Sequence, residues 1–298
     1  MNKQIHISQV IKSKLTRPDF VFKIVLGTLL LYGILYNLIQ SFDYIYDGVE
    51  HESPNVLMFF LYAFTSEHVA YYGVLFVFAL IVADVVYEEY LTKNIFLLYK
   101  TRKKVVFGMI KIVAVFSAIF LFAYIFLILV MAWNGNIPID FHYTRDAIQN
   151  WGSMQLWHHL REASVYLPVS VLNYNEFVVL LLVFLKYYIG LVLLAMIGLI
   201  FSIRKDSVQY GSLAMLIVIL FNLAMLEYDG PWNFYGIGIS VDLSKIFRYI
   251  SLQRYFIFEF ADIKYDVMRI FAETYVQGAI WFLFLFGILY QMFERRDL

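Results

Sequence analysis

Long apolar runs alternate with short polar segments along this chain, and six of the runs have the length of a membrane span. A helix needs about 20 apolar residues to cross a hydrocarbon core of about 30 Å. The predicted spans are residues 20–40, 69–87, 105–133, 177–203, 208–226 and 274–293. The pattern predicts an all-α integral membrane protein in which residues 1–298 form a single transmembrane domain.

The apolar stretch 55–87 is longer than one straight span requires. Polar residues at 65–68 divide it, so we expect residues 55–64 to form a separate helix at the outer membrane face.

Two other segments combine an apolar stripe with charged residues at helical spacing. Residues 5–17 precede the first span and carry basic residues, which is typical of a helix in a headgroup layer. Residues 254–272 predict an external amphipathic helix before the last span, which would cover the mouth of the bundle or gate the exit of a substrate. The charges that recur there at steps of three and four are Glu259, Asp262, Asp266, Arg269 and Glu273.

Basic residues concentrate on one side of the predicted spans. They cluster before the first span, between residues 93 and 111, and at residues 204–205 and 295–296. The loop 41–68, on the opposite side, contains acidic residues and no Lys or Arg. Because short basic segments stay in the cytoplasm, this distribution predicts that both termini are cytoplasmic.

Composition supports a membrane protein and narrows its chemistry. Hydrophobic residues make up 62% of the chain and charged residues 15%, which lies outside the range of ordinary soluble domains. The chain has no cysteine, which excludes disulfides and a thiol nucleophile. No phosphate-binding loop of the form G-x-x-x-x-G-K-[ST] occurs, so we expect no enzymatic activity and no cofactor in this chain. Energy for transport would have to come from a partner or from an ion gradient.

Lys186 lies deep inside a predicted span. Counted from residue 177 at ~1.5 Å per residue, it is about 14 Å from the start of the span, where an unpaired charge costs on the order of 3 kcal/mol. Lys186 should therefore face the interior of the bundle. It would act either as a structural lysine, which pairs or extends toward the interface, or as part of a substrate path.

His158, His159 and Glu162 lie close together in the outer loop 134–175 and could be considered as metal ligands, joined by His142. Adjacent residues on a helix point in different directions, so only one of the two neighbouring histidines could act with Glu162. We expect a surface pair rather than a metal site.

The segment between spans two and three carries charges that neither span could bury. Acidic residues end the first of these spans, basic residues precede the second, and apolar residues at 91, 95 and 98 give one stripe of a short helix. We expect a structured cytoplasmic elbow over residues 88–104 that docks a partner. The residues assigned to this coupling elbow are Glu88, Glu89, Leu97, Leu98, Arg102, Lys103, Lys104 and Lys111.

This layout resembles the ABC-2 type permeases, the membrane subunits of bacterial type V ABC exporters. In that family the elbow commonly reads as Glu, Gly-Thr, a Leu-Leu pair, Pro-x-x-Arg, and a Lys that opens the third span. Aligned on Glu88, Leu97 and Leu98 match the leucine pair, Lys104 takes the place of the arginine, and Lys111 matches the lysine.

Other positions depart from the family pattern or extend the likeness. Thr92 and Thr101 stand where the family has glycine and proline. The ending FERRDL, residues 293–298, is similar to the arginine-arginine-aspartate ending of these permeases, and residues 254–272 lie where they have an external re-entrant helix. The resemblance implies a subunit of the bacterial cytoplasmic membrane that pairs with a second copy or a homologous permease. It also implies separate ATPase subunits, which bind ATP and Mg²⁺, and no nucleic-acid partner.

Export of amphipathic peptides, including cationic antimicrobial ones, would suit the acidic outer loop 41–68 and the aromatic spans. A secondary transporter is the alternative, although the sequence has neither several intramembrane ionisable groups nor an evident inverted repeat. A CAAX-type intramembrane protease carries Glu-Glu-x-x-x-Arg, which Glu88, Glu89 and Lys93 nearly match. That enzyme also needs histidines on later spans, and no histidine follows residue 159.

Overall fold

Helices account for most of the residues that the structure describes, as the apolar pattern predicts. The computed structural model describes residues 16–46, 55–67, 69–82, 102–144, 148, 155–156, 163–164, 167–226, 232–234, 239–241, 251–258 and 265–294. The α-helices there are α1 (Pro18–Tyr46), α2 (Val56–Thr65), α3 (Leu75–Val82), α4 (Arg102–Asn134), α5 (Glu176–Lys205), α6 (Val208–Leu226) and α7 (Val267–Glu294). A π-helix, Val69–Val74, leads into α3, and 3-10 turns occupy Val169–Asn173 and Gln253–Tyr255.

Within the described residues, α1, α4, α5 and α7 are each long and apolar enough to cross a membrane. The pair Val56–Thr65 and Val69–Val82, whose axes are bent by 68°, would add a fifth span if counted as one. Helix α6 is apolar over Val208–Ala224, which is shorter than the other spans. An α-helical membrane protein is therefore supported, whereas six spans with cytoplasmic termini stay a prediction.

Short antiparallel ribbons accompany the helices in the predicted outer loops. Strand β1 (Gln155–Leu156) pairs with β2 (Ala163–Ser164), and β3 (Trp232–Phe234) pairs with β4 (Ile239–Val241). Each strand has only two or three residues, so these ribbons change the all-α assignment very little.

The helix predicted for residues 55–64 exists and lies inside the protein, whereas its predicted position at the outer membrane face stays a prediction. All ten residues of α2 are buried, and α2 packs against α4 and α5 inside the bundle. Its N-terminus is capped by the Asn55 side chain, which accepts a hydrogen bond of 2.9 Å from the Met58 amide. The Asn55 amide group also donates to the His142 carbonyl at 2.8 Å. A helix that is hydrophobic on every side is suited to such an interior position.

The external amphipathic helix predicted over residues 254–272 is not a separate helix in the part of the chain that the structure describes. Residues 251–258 lie inside the protein and are helical only in the 3-10 turn Gln253–Tyr255. Helix α7 begins at Val267 and runs without a break through the predicted last span. Asp266 starts this helix, because its carboxylate accepts a 2.8 Å hydrogen bond from the Met268 amide.

Other predicted elements fall outside the described residues. The N-terminal interfacial helix over residues 5–17 lies almost entirely there, and so does most of the elbow 88–104. The main chain of Arg102, Lys103 and Lys104 forms the first turn of α4.

Helix α5 is the central element of the bundle. Of its apolar stretch, 56% is buried inside the protein, against 28% for α1, α4 and α7. It packs against α2, α3, α4, α6 and α7. Its start is fixed by Asn175, whose side chain accepts from the Phe177 and Val178 amides, and its end by Asp206 in the left-handed conformation. A polar side chain on the buried face of α5 is therefore held inside the protein.

Candidate functional site

Lys186 occupies the interior of the bundle, as its place in an apolar run predicts. It lies on α5 and is fully buried, with 0% of its surface exposed. Its Nζ donates a 3.1 Å hydrogen bond to the Ile257 carbonyl and lies 3.8 Å from the centroid of the Phe258 ring. An ammonium group over the face of an aromatic ring is attracted by the ring electrons. A role for Lys186 in a substrate path stays a prediction.

The partner of Lys186 belongs to a mostly irregular stretch with one 3-10 turn, residues 251–258, which we call the inner segment. All eight of its residues are buried. Non-helical backbone inside a membrane protein needs hydrogen-bond partners from neighbouring elements, since lipid provides none. Asn222 of α6 accepts from the Leu252 amide at 3.3 Å, and the Tyr255 hydroxyl donates to the Thr274 carbonyl of α7 at 3.3 Å. Together with Lys186, these contacts tie the inner segment to three helices.

Gly190, one turn after Lys186 on α5, allows the inner segment to approach the helix closely. A Cβ added there would lie 2.5 Å from the Tyr255 Cβ and 2.7 Å from the Phe256 Cζ. These distances are below van der Waals contact, so only glycine fits in this packing. Lys186 and Gly190 are four residues apart and therefore share one face of α5. The inner segment packs against that face of α5.

A second buried cation belongs to the inner segment itself. The Arg254 side chain is only 4% exposed, and its Nη2 lies 3.3 Å from a carboxylate oxygen of Glu273. The other oxygen of Glu273 accepts a 2.9 Å hydrogen bond from Arg269, one turn before it on α7. Two guanidinium groups thus share one carboxylate, and the pair at Arg254 is the less exposed to solvent. This contact fixes the inner segment to the first turns of α7.

An aromatic cluster joins the inner segment to the rest of the core. The Tyr187 ring meets Phe64 of α2 at 5.1 Å and Phe256 at 5.0 Å, both edge to face. Tyr124 of α4 packs 5.0 Å from Phe64, and its hydroxyl donates to the Ala63 carbonyl at 2.7 Å. Such edge-to-face pairs favour one arrangement of the rings over others. The cluster therefore couples α2, α4 and α5 to the inner segment.

Polar contacts also hold the start of α7 in place. The Ser170 hydroxyl accepts from the Val267 amide at 2.9 Å, and the Tyr174 hydroxyl donates to the Asp266 carboxylate at 2.8 Å. The hydrogen bond from Tyr174 lowers the pKa of Asp266, and the amides of Met268 and Arg269 act in the same direction. The negative form of Asp266 is thereby favoured where it also caps α7.

Most of the residues assigned to the coupling elbow lie outside the part of the chain that the structure describes. Glu88, Glu89, Leu97 and Leu98 lie outside the described residues. Nothing is described of the side chains that follow them, Arg102, Lys103 and Lys104, and Lys111 is exposed on α4. The elbow assignment stays a prediction.

The histidine pair at residues 158–159 and Glu162 also lie outside the described residues. Among the residues that are described, no group of three His, Asp or Glu side chains is placed to hold a metal ion. His142 lies 3.8 Å from Glu176, with 82% of its side chain exposed.

Sequence reasoning found Lys186 but missed the inner segment. The charges at 259, 262, 266, 269 and 273 predict a helix that begins near 254. Residues 255–258, which are mostly aromatic, were therefore assigned to that helix and not to a buried irregular segment. A glycine in the middle of α5, far from either end, was the available signal of a close backbone approach.

A comparison of the chain with models of known protein families, with curated proteins and with solved structures finds no match in any of the three. The function is therefore argued from the residues of this chain.

Proposed function

We propose that this chain is the permease subunit of an ATP-driven exporter in a bacterial cytoplasmic membrane. Six spans would carry the substrate path, with both termini in the cytoplasm. A second permease copy or a homologous permease would complete the path, and separate subunits would hydrolyse ATP. The resemblance of the sequence to ABC-2 type permeases supports this proposal, and the apolar helices of membrane length are consistent with it.

The observation that carries a transport function is the contact between Lys186 and the inner segment. Ionisable residues inside membrane spans are costly and commonly mark the path of a substrate or ion. Irregular backbone at membrane depth is tolerated where it is buried in protein or lines a cavity. Here a buried lysine of the central helix holds a buried irregular segment through the Ile257 carbonyl. A protein that served only as a membrane anchor would need neither feature.

Coupling to ATP would take place at the elbow 88–104. Glu88 and Glu89 lie at one end of the elbow, and Arg102, Lys103 and Lys104 lie at the other. These charges would contact a soluble ATPase, whose closure on ATP would move the second and third spans together. The absence of a phosphate-binding loop from the sequence is the reason for assigning ATP and Mg²⁺ to a partner.

The test is a charge reversal in the elbow. Replacing Arg102, Lys103 and Lys104 together by Glu would place like charges against the acidic surface expected on the ATPase, which costs several kcal/mol at a close interface. Co-purification of the ATPase and permease-stimulated ATP hydrolysis should both fall sharply at equal membrane levels. The matched control reverses Arg204 and Lys205, which lie at another predicted inner turn. If the elbow variant retains both activities, the elbow does not couple the two proteins.

The exported substrate would be amphipathic, and antimicrobial peptides are one such class. The aromatic residues of the spans would accommodate an apolar body, and the acidic outer loop 41–68 would attract a cationic one.

A secondary transporter is a second candidate, favoured by one observation. The bend of 68° between Val56–Thr65 and Val69–Val82 resembles the discontinuous spans that hold substrates and ions in such proteins. Transport in energised membrane vesicles separates the two functions. An exporter should stop when ATP is depleted and continue when ionophores collapse the ion gradients, whereas a secondary transporter should respond in the opposite way.

A further inference from the structure

We propose that one exposed face of helix α1 is the surface through which a second copy of this chain binds inside the membrane. This face, which we call the α1 seam, consists of Phe22, Val25, Leu29, Tyr32 and Tyr36. The proposal rests on the function proposed above in that it selects a second copy, rather than a homologous permease, as the partner subunit. It does not depend on ATP, on a substrate or on the elbow.

The α1 seam is a continuous exposed stripe along the span. Its residues recur at steps of three, four, three and four, a spacing that keeps them on one face of a helix. Their exposed fractions are 65%, 51%, 63%, 40% and 50% in chain order. The opposite face of α1 packs on the π-helix and on α3, where a Cβ added to Gly27 would lie 2.6 Å from Val77. The seam is therefore the side of α1 that faces away from the rest of the described chain.

The chemistry of the α1 seam differs from that of the other exposed faces in the membrane. Helices α1, α4 and α7 are equally exposed, since 28% of the apolar stretch of each is buried. Between residues 112 and 130 of α4 and between residues 272 and 284 of α7, every exposed residue is Ala, Val, Ile, Leu or Phe. Such faces are suited to lipid. The α1 seam contains two exposed tyrosines instead, and Thr28 is exposed beside them.

Tyr32 and Tyr36 lie within the hydrocarbon core rather than at its edge. Tyr32 is three residues past the middle of the span Pro18–Gln40, about 5 Å from the midplane at ~1.5 Å per residue. Tyr36 is one turn further, about 5 Å inside the edge of a ~30 Å core. Side chains on a helix lean toward its N-terminus, so both rings point back toward the midplane. Lipid tails offer a hydroxyl no hydrogen bond there, whereas a partner subunit that covers the seam can supply one.

A second copy of α1 suits the seam because the seam is complementary to itself. Identical faces meet in a symmetric dimer, so seam residues contact seam residues of the other copy. A tyrosine hydroxyl both donates and accepts, and it can therefore pair with the hydroxyl of an identical residue. The only charged residue between positions 20 and 40 is Lys23, which lies about 100° around the helix from Phe22. The seam itself has no charge that would repel its own copy.

The area of this face is sufficient for a specific contact. A fully exposed ring contributes roughly 200 Å² and an aliphatic side chain somewhat less, so the seam with its neighbours Val21 and Leu26 presents on the order of 600 Å². Two copies would together bury about 1,200 Å², which is the lower end of the range for specific interfaces. The contact should therefore be reversible, and dilution in lipid should measure its strength.

The first measurement is disulfide cross-linking of single cysteines, which the absence of cysteine from the chain makes possible. The full chain with Leu29→Cys, at the centre of the seam, is oxidised with copper phenanthroline in membranes. In a symmetric pair the two thiols lie close together, so a covalent dimer should form. The matched control is Phe126→Cys, which is 68% exposed on α4 and should stay monomeric.

The second measurement is energy transfer between copies of the purified full chain in vesicles of phosphatidylethanolamine and phosphatidylglycerol. Donor and acceptor dyes are attached at Ile139→Cys, which is 71% exposed and lies outside the seam. The dissociation constant is taken from the loss of energy transfer as the protein is diluted in lipid. Tyr32→Phe together with Tyr36→Phe should raise this constant about tenfold, as for the loss of two interhelical hydrogen bonds. Tyr210→Phe, which removes an exposed hydroxyl from α6, should leave it unchanged.

Four results would overturn the proposal. Energy transfer no greater than that of random collisions would show that a second copy does not bind. Equal cross-linking at positions 29 and 126, or an unchanged dissociation constant in the double tyrosine variant, would show that copies meet through another face. Rapid reaction of Leu29→Cys with a membrane-impermeant maleimide, at lipid ratios where the chain is paired, would show that the seam lines an aqueous path. Because no ATPase and no substrate are present, this test and the test of the elbow can fail independently.

Discussion

Replacement of Gly190 by Ala tests whether the inner segment is seated on α5 as described. The new methyl group would meet the Tyr255 Cβ at 2.5 Å and the Phe256 ring at 2.7 Å and 2.9 Å. The Phe256 ring could turn aside, but the Tyr255 Cβ is attached to the main chain. The inner segment itself would therefore have to shift. That shift would disturb the hydrogen bond from Lys186 to the Ile257 carbonyl.

Two opposing effects set the size of the change. Overpacking in a close-packed core costs typically about 1–3 kcal/mol, and a main-chain shift places this site near the upper end. Replacement of glycine by alanine within a helix stabilises the helix by up to about 1 kcal/mol. We expect a net destabilisation of about 2 kcal/mol, which corresponds to a melting temperature lower by about 5 °C for a chain of this size.

The assay is thermal unfolding of the purified protein in detergent, with Gly33→Ala as the matched control. Gly33 lies within helix α1, and no atom lies within 4 Å of the position that its Cβ would take. That variant should be as stable as the wild type or slightly more stable. If Gly190→Ala follows Gly33→Ala rather than losing stability, the close approach of the inner segment to α5 is refuted.

Three further predictions address other parts of the chain. Because hydrogen bonds lower the pKa of Asp266, its contribution to stability is present above its unfolded pKa and is lost as the pH falls below about 4. Thermal unfolding at several pH values should show a larger loss in the wild type than in Asp266→Asn, in which Glu273 still titrates. Tyr124→Phe removes a buried hydroxyl that donates at 2.7 Å, and chemical denaturation should show a cost of about 1 kcal/mol. Single cysteines should react with an impermeant reagent from outside the cell at positions 50, 150 and 240 and not at 100 and 205.

Hydropathy predicted the places of the membrane helices because each signal is contained within one run of residues. The predicted span 177–203 agrees with α5, since Asn175 caps its start and Asp206 ends it. The interior position of Lys186 was predicted in the same way, because a charged residue inside a membrane span almost always faces the interior of the bundle.

The burial of α2 and the inner segment could not be found from local pattern. Every residue of α2 is apolar or small, so hydropathy alone does not separate a helix that faces lipid from one inside a bundle. The inner segment is fixed by Lys186, Asn222 and Thr274, which lie far from it in sequence or on another helix. Contacts of that kind depend on the assembled fold, whereas periodicity reports only the nearest turns of the same chain.

The full burial of α2 has a consequence for how the protein is made. A helix of ten residues is about 15 Å long, too short to cross the hydrocarbon core by itself. In the described structure its side chains contact α4 and α5, and α5 is synthesised long after α2 has left the ribosome. The packing of the bent pair of α2 and α3 is therefore incomplete until α5 is present. The contacts between α2 and α5 are completed only after both segments have been synthesised.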